Sequence, residues 1–318
     1  MRRDVPPGSS KGSAGARRAW AVLRAYPELT KLRLTALVVA TTAVGFLMAG
    51  GGLRSGATLL WTVLGTTLAA AGAMALNQVI EVARDARMER TKNRPIPAGV
   101  LTARHGLLFG LAVAGGGLVT LVLGANALTA LLGLAVVLVY TLVYTPLKAR
   151  SPLCTLAGAV CGAIPPMMGW TATGTPLGFG AWLLAGMLFL WQIPHFLALA
   201  WLYRDDYARG GFRMLPVVDA SGRSTGQAAV LYSMALLPVG VLAALGGMTG
   251  WGFAAGSLVL TGGLVALALA LAAKKSDAVA RRLFLATLAY LPLLLGLMVA
   301  DRLPSPKDLA VAVLAAGR

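Results

Sequence analysis

Asn77, Glu81 and Asp85 follow one another at intervals of four residues, at the end of a long apolar run. On a helix, residues four apart share a face, and at 1.5 Å rise per residue they climb it in steps of about 6 Å. Three oxygen-bearing groups in a row suit a hard cation such as Mg²⁺, which takes one or two carboxylates and leaves positions for phosphate oxygens. The chain runs on at once into Arg90, Lys92 and Arg94, and guanidinium groups grip phosphate oxygens in pairs. A diphosphate leaving an allylic carbon needs its charge neutralised as the C–O bond breaks. A divalent ion assisted by Arg and Lys does that. The pattern therefore reads as a metal–diphosphate site at a membrane surface.

Two further polar clusters interrupt the apolar chain. Tyr144, Thr145, Pro146, Leu147 and Lys148 form one, followed by Arg150; WQIPHFLALAWLYRDDYARGGFRMLPVVD, residues 191–219, is the other. The candidate metal ligands are Asn77, Glu81, Asp85 and Asp206, with Asp205 beside the last. Arg90, Arg94, Lys148 and Arg204 are candidate anion contacts, and Tyr144 a substrate contact. Basic residues at helix ends are expected for topology alone, and a lone carboxylate there is ordinarily a solvated charge. The site reading rests on convergence, three ligands on one face and an acidic pair four helices later. His195 sits inside an apolar span next to Pro194. Its imidazole needs a partner, either a backbone carbonyl freed by the proline or a substrate such as a heme iron.

The elements that must position these groups are membrane helices. The chain is 58% hydrophobic and 12% charged, too apolar for an ordinary soluble domain. Runs long enough to cross a hydrocarbon core of about 30 Å recur at 34–50, 57–80, 104–123, 127–146, 153–173, 178–200, 228–248, 252–273 and 281–300. The expected fold is an all-α membrane bundle of nine helices. The net charge of +17 does not point to nucleic acid, because 24 of the 28 Lys and Arg fall in the segments 1–33, 81–104, 147–152, 201–227 and 274–282. By the positive-inside rule those segments and the N-terminus are cytoplasmic, and so is the active site. The outer connections are nearly featureless apart from Arg54. Residues 1–25 read as a disordered basic tail, Arg-rich and almost free of acid as transit peptides are. Residues 26–303 form the catalytic domain and 304–318 a C-terminal tail. Cys154 and Cys161, two turns apart, read as small packing residues.

NQVIEVARDARMERTKNRPIPAG resembles the first signature of the intramembrane prenyltransferases related to 4-hydroxybenzoate polyprenyltransferase. Within that group MERTKNRPIPAG, YTPLK at 144–148, AIPPMMGW at 163–170 and WQIPHFLALAWLYRDDYARGGFRMLPVV are most similar to the protoheme IX farnesyltransferase branch. The likeness runs from about Leu29 to Asp219. It implies a nine-helix bundle, Mg²⁺ as cofactor, and farnesyl transfer from farnesyl diphosphate to a vinyl group of protoheme IX, giving heme O. Asn77, Glu81 and Asp85 then fall on the first metal–diphosphate motif and Asp206 on the second. The resemblance further implies a bacterial cell membrane or mitochondrial inner membrane location, with heme A synthase or an oxidase-assembly factor as a protein partner. Three positions depart from the pattern. Glu81 stands where many relatives carry Asp, Cys154 where Asn is common, and Lys31-Leu32-Arg33 replaces the usual Lys-Pro-Arg. The rival readings are a sister enzyme acting on a quinone precursor or chlorophyllide and, more distantly, a transporter. A transporter would carry polar groups along both half-channels, whereas here they gather at one face.

Overall fold

The computed structural model describes residues 10–50 and 56–304, with side chains from Trp20 onward. Residues 1–9, Arg54 and the C-terminal tail from residue 305 lie outside the described residues. The first helix, α1 (Ser10–Leu29), runs through the stretch read as tail up to residue 25. It meets α2 (Leu32–Met48) at a 41° bend. There follow α3 (Gly56–Asp85), α4 (Ala103–Gly124), α5 (Ala127–Leu138), a π-helical segment at Val139–Tyr144, α6 (Thr145–Leu147), α7 (Cys154–Ala172) and α8 (Phe179–Leu202). Two short helices, α9 (Arg204–Arg209) and α10 (Leu215–Val218), precede α11 (Arg223–Ala235), α12 (Leu237–Leu245), α13 (Trp251–Lys274) and α14 (Asp277–Ala300). Every span expected from the sequence is helical. Among the described residues seven helices are long and apolar enough to cross a membrane, or eight if the bent α1–α2 pair is one span. The expected ninth, α7, is 19 residues long and is not counted there, its apolar content diluted by Pro165, Pro166 and three glycines.

Local chemistry sets the boundaries. Thr102, Asn126 and Ser276 cap α4, α5 and α14 by accepting from the backbone N–H three residues on, as N-cap side chains do. The α1–α2 bend falls at Lys31, whose φ of 47° lies in the left-handed region. At this break the Leu29 carbonyl accepts from the side-chain amide of Gln78, and the Glu28 carbonyl accepts from that amide and from the Lys31 N–H. The π segment has a local cause as well. Pro146 has no N–H to continue the α-helical ladder, and the Tyr140 carbonyl accepts both the backbone N–H of Thr145, five residues on, and its hydroxyl at 2.7 Å. The wider turn shifts the register between the two halves of this span, and π turns are frequent at functional sites.

α3 and α8 are the central helices, with 61% and 67% of their membrane segments buried, against 28% for α4. The outward face of α4 (Leu107, Leu108, Leu111, Val119, Val122, Leu123) is exposed, as a lipid-facing helix must be. Contacts sort the connections into two ends. Residues 31, 77–94, 148, 204–213 and 277 meet at one end. At the other, Arg302 donates to the Leu47 carbonyl and Gly250 N–H to the Asp301 carbonyl. The segments expected on one side of the membrane are thus together.

α3 and α4 lie backbone to backbone. Gly65 and Gly72 face Gly117 and Gly110, each pair seven residues apart, and a Cβ on Gly72 would stand only 2.5–2.6 Å from the Ala114 nitrogen and the Gly110 oxygen. Small residues permit such approach between membrane helices. Gly115 and Gly116 next door face open space. Gly72→Val should therefore cost about 1–3 kcal/mol by overpacking and lower the unfolding temperature in detergent. Gly116→Val should leave it unchanged or raised. Equal behaviour of the two variants would refute this packing.

Candidate active site

The end of α3 delivers the acidic face the sequence anticipates, with one difference in setting. Asn77, Glu81 and Asp85 are buried, at 0%, 4% and 0% exposure, because residues 86–100 fold over them as a series of turns anchored by buried Met88, Thr91, Pro95 and Ile96. The Thr91 hydroxyl donates to the Asp85 carbonyl at 2.9 Å. Two carboxylates one helical turn apart cannot stay charged in such a place without nearby cations, and three arrive from three elements. Lys148, brought round by the π segment, ion-pairs with Glu81. Arg94, from the covering turns, reaches Asp85 Oδ2 at 2.6 Å. Lys31, from the α1–α2 break, donates to Asn77 Oδ1 at 2.8 Å, while Asn77 Nδ2 donates to Thr145 Oγ1 at 3.0 Å.

Lys148 also lies over the rings of Tyr144 (4.9 Å) and Phe212 (5.3 Å), so Tyr144 supports the cation from below. The loop after α8 is stitched to this cluster. Arg213 N–H donates to the Lys148 carbonyl at 2.7 Å, and Arg84 to the Gly211 carbonyl at 3.1 Å. Asp206 accepts from the backbone N–H of Glu89 (2.8 Å) and of Arg90 (3.3 Å), and from Arg209 (2.7 Å). Burial works against its charge, but these donors outweigh it and hold the carboxyl below its ordinary range. The second acidic motif thus clasps the turns that cover the first.

The structure leaves some expected residues apart. The exposed Arg90 guanidinium sits over Tyr203 and Tyr207 at 4.7 and 5.1 Å and donates to the Tyr207 hydroxyl. Arg204 pairs with Asp277 at 2.7 Å and stacks on Trp201. Exposed Asp205 lines, with Arg204 and Lys275, a separate surface hollow of about 400 Å³. Neither meets the Glu81–Asp85 cluster, because successive residues of the short α9 helix face different ways and only Asp206 points inward. Lys31 was missed as a site residue. Its signal was a basic residue at the foot of the first apolar run, which reads equally as a topology charge. Cys154, at the position where Asn is common, is buried with its Sγ 3.5 Å from Met214 Sδ. Both cysteines are free and buried, the packing role expected.

The fit for Mg²⁺ rests on one orphaned atom. Asp85 Oδ1 is buried with no hydrogen-bond partner, a costly state that a cation relieves. Among the described residues no three His, Cys, Asp or Glu side chains converge to hold a metal, so the set Asn77, Glu81, Asp85 and Asp206 is not assembled by protein alone. Mg²⁺ needs only one or two carboxylates when phosphate supplies the rest. Glu81 and Asp85 meet that requirement.

Beneath the polar end lies an apolar cavity of about 140 Å³ between α2, α3, α5, α7, α8 and α14. One wall carries Ala70, Ala73, Met74, Val136 and Tyr140; the other carries Leu188, Trp191, Gln192, His195, Phe196 and Leu291. His195 Nδ1 is 2.9 Å from Thr287 Oγ1, so its partner is a hydroxyl on α14 rather than a carbonyl freed by Pro194.

A helical membrane bundle with carboxylates and cations crowded at one end, above an apolar cavity, has the architecture of a membrane-embedded enzyme. A profile of the UbiA prenyltransferase family matches residues 38–288, and the chain belongs to that family. It is 44% identical over 293 residues to the protoheme IX farnesyltransferase of Koribacter versatilis, covering 88% of this chain and 94% of that one. To its namesake from Solibacter usitatus it is 40% identical over 289 residues, covering 88% and 99%. The human mitochondrial protoheme IX farnesyltransferase is 42% identical over 278 residues, covering 87% of this chain and 62% of its own. Among solved structures, the fold matches one described as digeranylgeranylglyceryl phosphate synthase in membranes (TM-score 0.75, 14% identity, 88% and 98% covered). It also matches a UbiA homolog from Archaeoglobus fulgidus bound to GPP and Mg²⁺ (TM-score 0.61, 13% identity, 86% and 99% covered).

Removing one partner of a buried ion pair strands the other and typically costs about 3–5 kcal/mol. Lys148→Met should therefore destabilise the metal-free protein strongly, and Glu81→Gln added to it should restore much of the loss. A thermal-unfolding cycle over the four forms checks this, and additive losses would show that the pair is not coupled.

Proposed function

We propose that this protein transfers the farnesyl group of farnesyl diphosphate to a vinyl group of protoheme IX, yielding heme O and diphosphate. The observation that carries the reading is the 40–44% identity, over nearly the whole chain, to proteins named for that activity. The site supports it. Glu81 and Asp85 would hold Mg²⁺, with Asn77 beside them, and the ion when bound neutralises charge building on the departing diphosphate. Lys31, Lys148 and Arg94 now hold protein oxygens, and each can turn to phosphate oxygens when a diphosphate enters. This is why the site carries as many cations as acidic or amide ligands. Asp206 keeps the covering turns in place and with them Arg94. Arg90, Arg204 and Asp205 lie toward the rim, where they would meet substrate only on entry.

The apolar cavity suits the isoprenoid chain. Its α3–α5 wall leads up to Met74 and Tyr140, one turn below Asn77, so a chain lying there places its reacting carbon at the foot of the metal site. The other wall, with His195, is the side left for the acceptor. Attack by the vinyl group on that carbon leaves a positive charge on the adjoining acceptor carbon. Capture of water there supplies the hydroxyl of heme O and releases a proton. The same reading places the polar end on the cytoplasmic side of a bacterial cell membrane, or the equivalent side of the mitochondrial inner membrane, supported by the 24 of 28 basic residues in those segments. Heme A synthase or an oxidase-assembly factor would then be a fitting recipient of the product.

Purified protein given protoheme IX, farnesyl diphosphate and Mg²⁺ should produce farnesylated heme, read by mass. EDTA or Asp85→Ala should abolish turnover with the helical content intact, and Glu81→Asp should keep part of it. Full activity in EDTA would remove the metal from the proposal. Arg94→Ala and Lys148→Ala should weaken farnesyl diphosphate binding more than heme binding, by about 1.5–3 kcal/mol for each charge-assisted contact. Equal weakening of both substrates would instead mark a folding defect.

A further inference from the structure

His195 is held in one tautomer by its surroundings. Thr287 Oγ1 donates its single hydrogen to the Phe284 carbonyl at 2.6 Å. Toward His195 Nδ1, 2.9 Å away, it can only accept, so Nδ1 carries the imidazole proton. In the neutral ring Nε2 is then an unprotonated acceptor, and no protein group bonds it among the described residues. Thr287 is itself immobilised, fully buried and with its carbonyl accepting from Trp191 Nε1 at 2.9 Å. The imidazole is clamped between Trp191 and Phe284, stacked at 5.3 and 5.0 Å between ring centroids. A histidine needed only for packing would not require this much orientation. A rigid imidazole that lines an apolar cavity and leaves one nitrogen without a protein partner has the features of a metal ligand, and a hydrogen bond at the other nitrogen is how ligating histidines are aimed.

We infer that His195 Nε2 is an axial ligand to the iron of the tetrapyrrole acceptor, and that Thr287 is the positioning residue that selects the ligating tautomer. The inference rests on the proposed function for the presence of an iron tetrapyrrole, and on this geometry for the ligand. Carboxylates and cations elsewhere in the site cannot do this work. They are engaged with one another at the polar end, and an iron tetrapyrrole already provides four nitrogens and seeks an imidazole on the axis. An iron–nitrogen bond fixes the macrocycle against the α8–α14 wall, so that rotation about one axis is all that remains to bring a vinyl group to the prenyl carbon. The cavity is smaller than the roughly 300–1,000 Å³ of ligand pockets. Half-buried Phe196 and Leu37 and exposed Leu34 at its margin must therefore move aside when the macrocycle binds.

The test uses ferric protoheme IX added to the purified full chain in detergent, without farnesyl diphosphate. Wild type should give a histidine-ligated heme spectrum and, after reduction, an iron–histidine stretch in resonance Raman. His195→Ala should lose both, and added imidazole should restore the absorption spectrum. Thr287→Val should lower the iron–histidine stretching frequency and weaken heme affinity about tenfold, the lower end for loss of a second-shell partner. Thr287→Ser should recover both. Farnesyl diphosphate affinity should be unchanged throughout, which also reports that the variants are folded. Farnesyl transfer to protoheme by a wild type that shows no iron–histidine stretch overturns the inference and leaves the function standing. A Thr287→Val protein spectrally identical to wild type overturns the tautomer assignment. Absence of both heme binding and heme farnesylation overturns the function and the inference together.

Discussion

Two carboxylates one turn apart, both buried, are the constraint on which the rest of this protein depends. Each costs several kcal/mol to take out of water even after the protein relaxes around it, and neither can be neutralised by its own helix, whose neighbouring positions are apolar or turned away. The compensation comes from distant parts of the chain. Lys148 arrives through a π turn, Arg94 through a doubled-back loop and Lys31 through a left-handed break between helices. The π turn and the left-handed Lys31 are locally unfavourable backbone. These two irregular features therefore lie where the charges must be met, and strain of this kind persists only where surrounding structure over-determines it.

The same requirement explains why the loop after α8 is tied down so firmly. Arg94 can pair with Asp85 only if residues 86–100 stay folded over the end of α3, where Met88, Pro95 and Ile96 anchor them from the apolar side. Asp206 adds a polar anchor by accepting two of their backbone N–H groups, and Arg213 fastens its own stretch of loop to the Lys148 carbonyl. A motif that reads as a second metal site is in this geometry first a clasp. It ties the loop after α8 to the turns after α3 at the polar end, where lipid exerts no ordering force.

The regular parts of this arrangement were legible in the sequence and the irregular parts were not. Nine apolar runs became helices near their expected places because span length and periodicity are set by the bilayer and the backbone, both independent of tertiary detail. The face of Asn77, Glu81 and Asp85 was legible because it needs only helical spacing, and Lys148 and Arg94 stood out because they lie in short polar clusters; that they pair with these carboxylates was not legible. Lys31 was hidden, since its importance depends on a left-handed residue 46 positions from its partner. Arg204 and Asp205 drew attention by charge, yet which member of Arg204-Asp205-Asp206 points inward is decided by the start of a six-residue helix, a boundary that periodicity cannot place. Thr287 could not be singled out among the threonines of the chain, because its role is defined wholly by a histidine on another helix.

The buried pairs also bear on how such a site can work. A cation that is permanently optimal for a carboxylate is useless to a substrate, and a carboxylate left bare would not stay charged. Pairing Lys148 with Glu81 and Arg94 with Asp85 gives each of the four groups a partner of opposite charge while the site waits. On the proposed function, an entering metal–diphosphate would offer each a partner of the same sign as the one it gives up, metal for the carboxylates and phosphate for the cations. Such an exchange would be close to neutral in charge and leave no group stranded, so the energy of binding would not be consumed in desolvating the site. Asp85 Oδ1, a buried carboxylate oxygen with neither a hydrogen bond nor an ion pair, is where that exchange has the most to gain. This is the atom from which binding of the cation should begin.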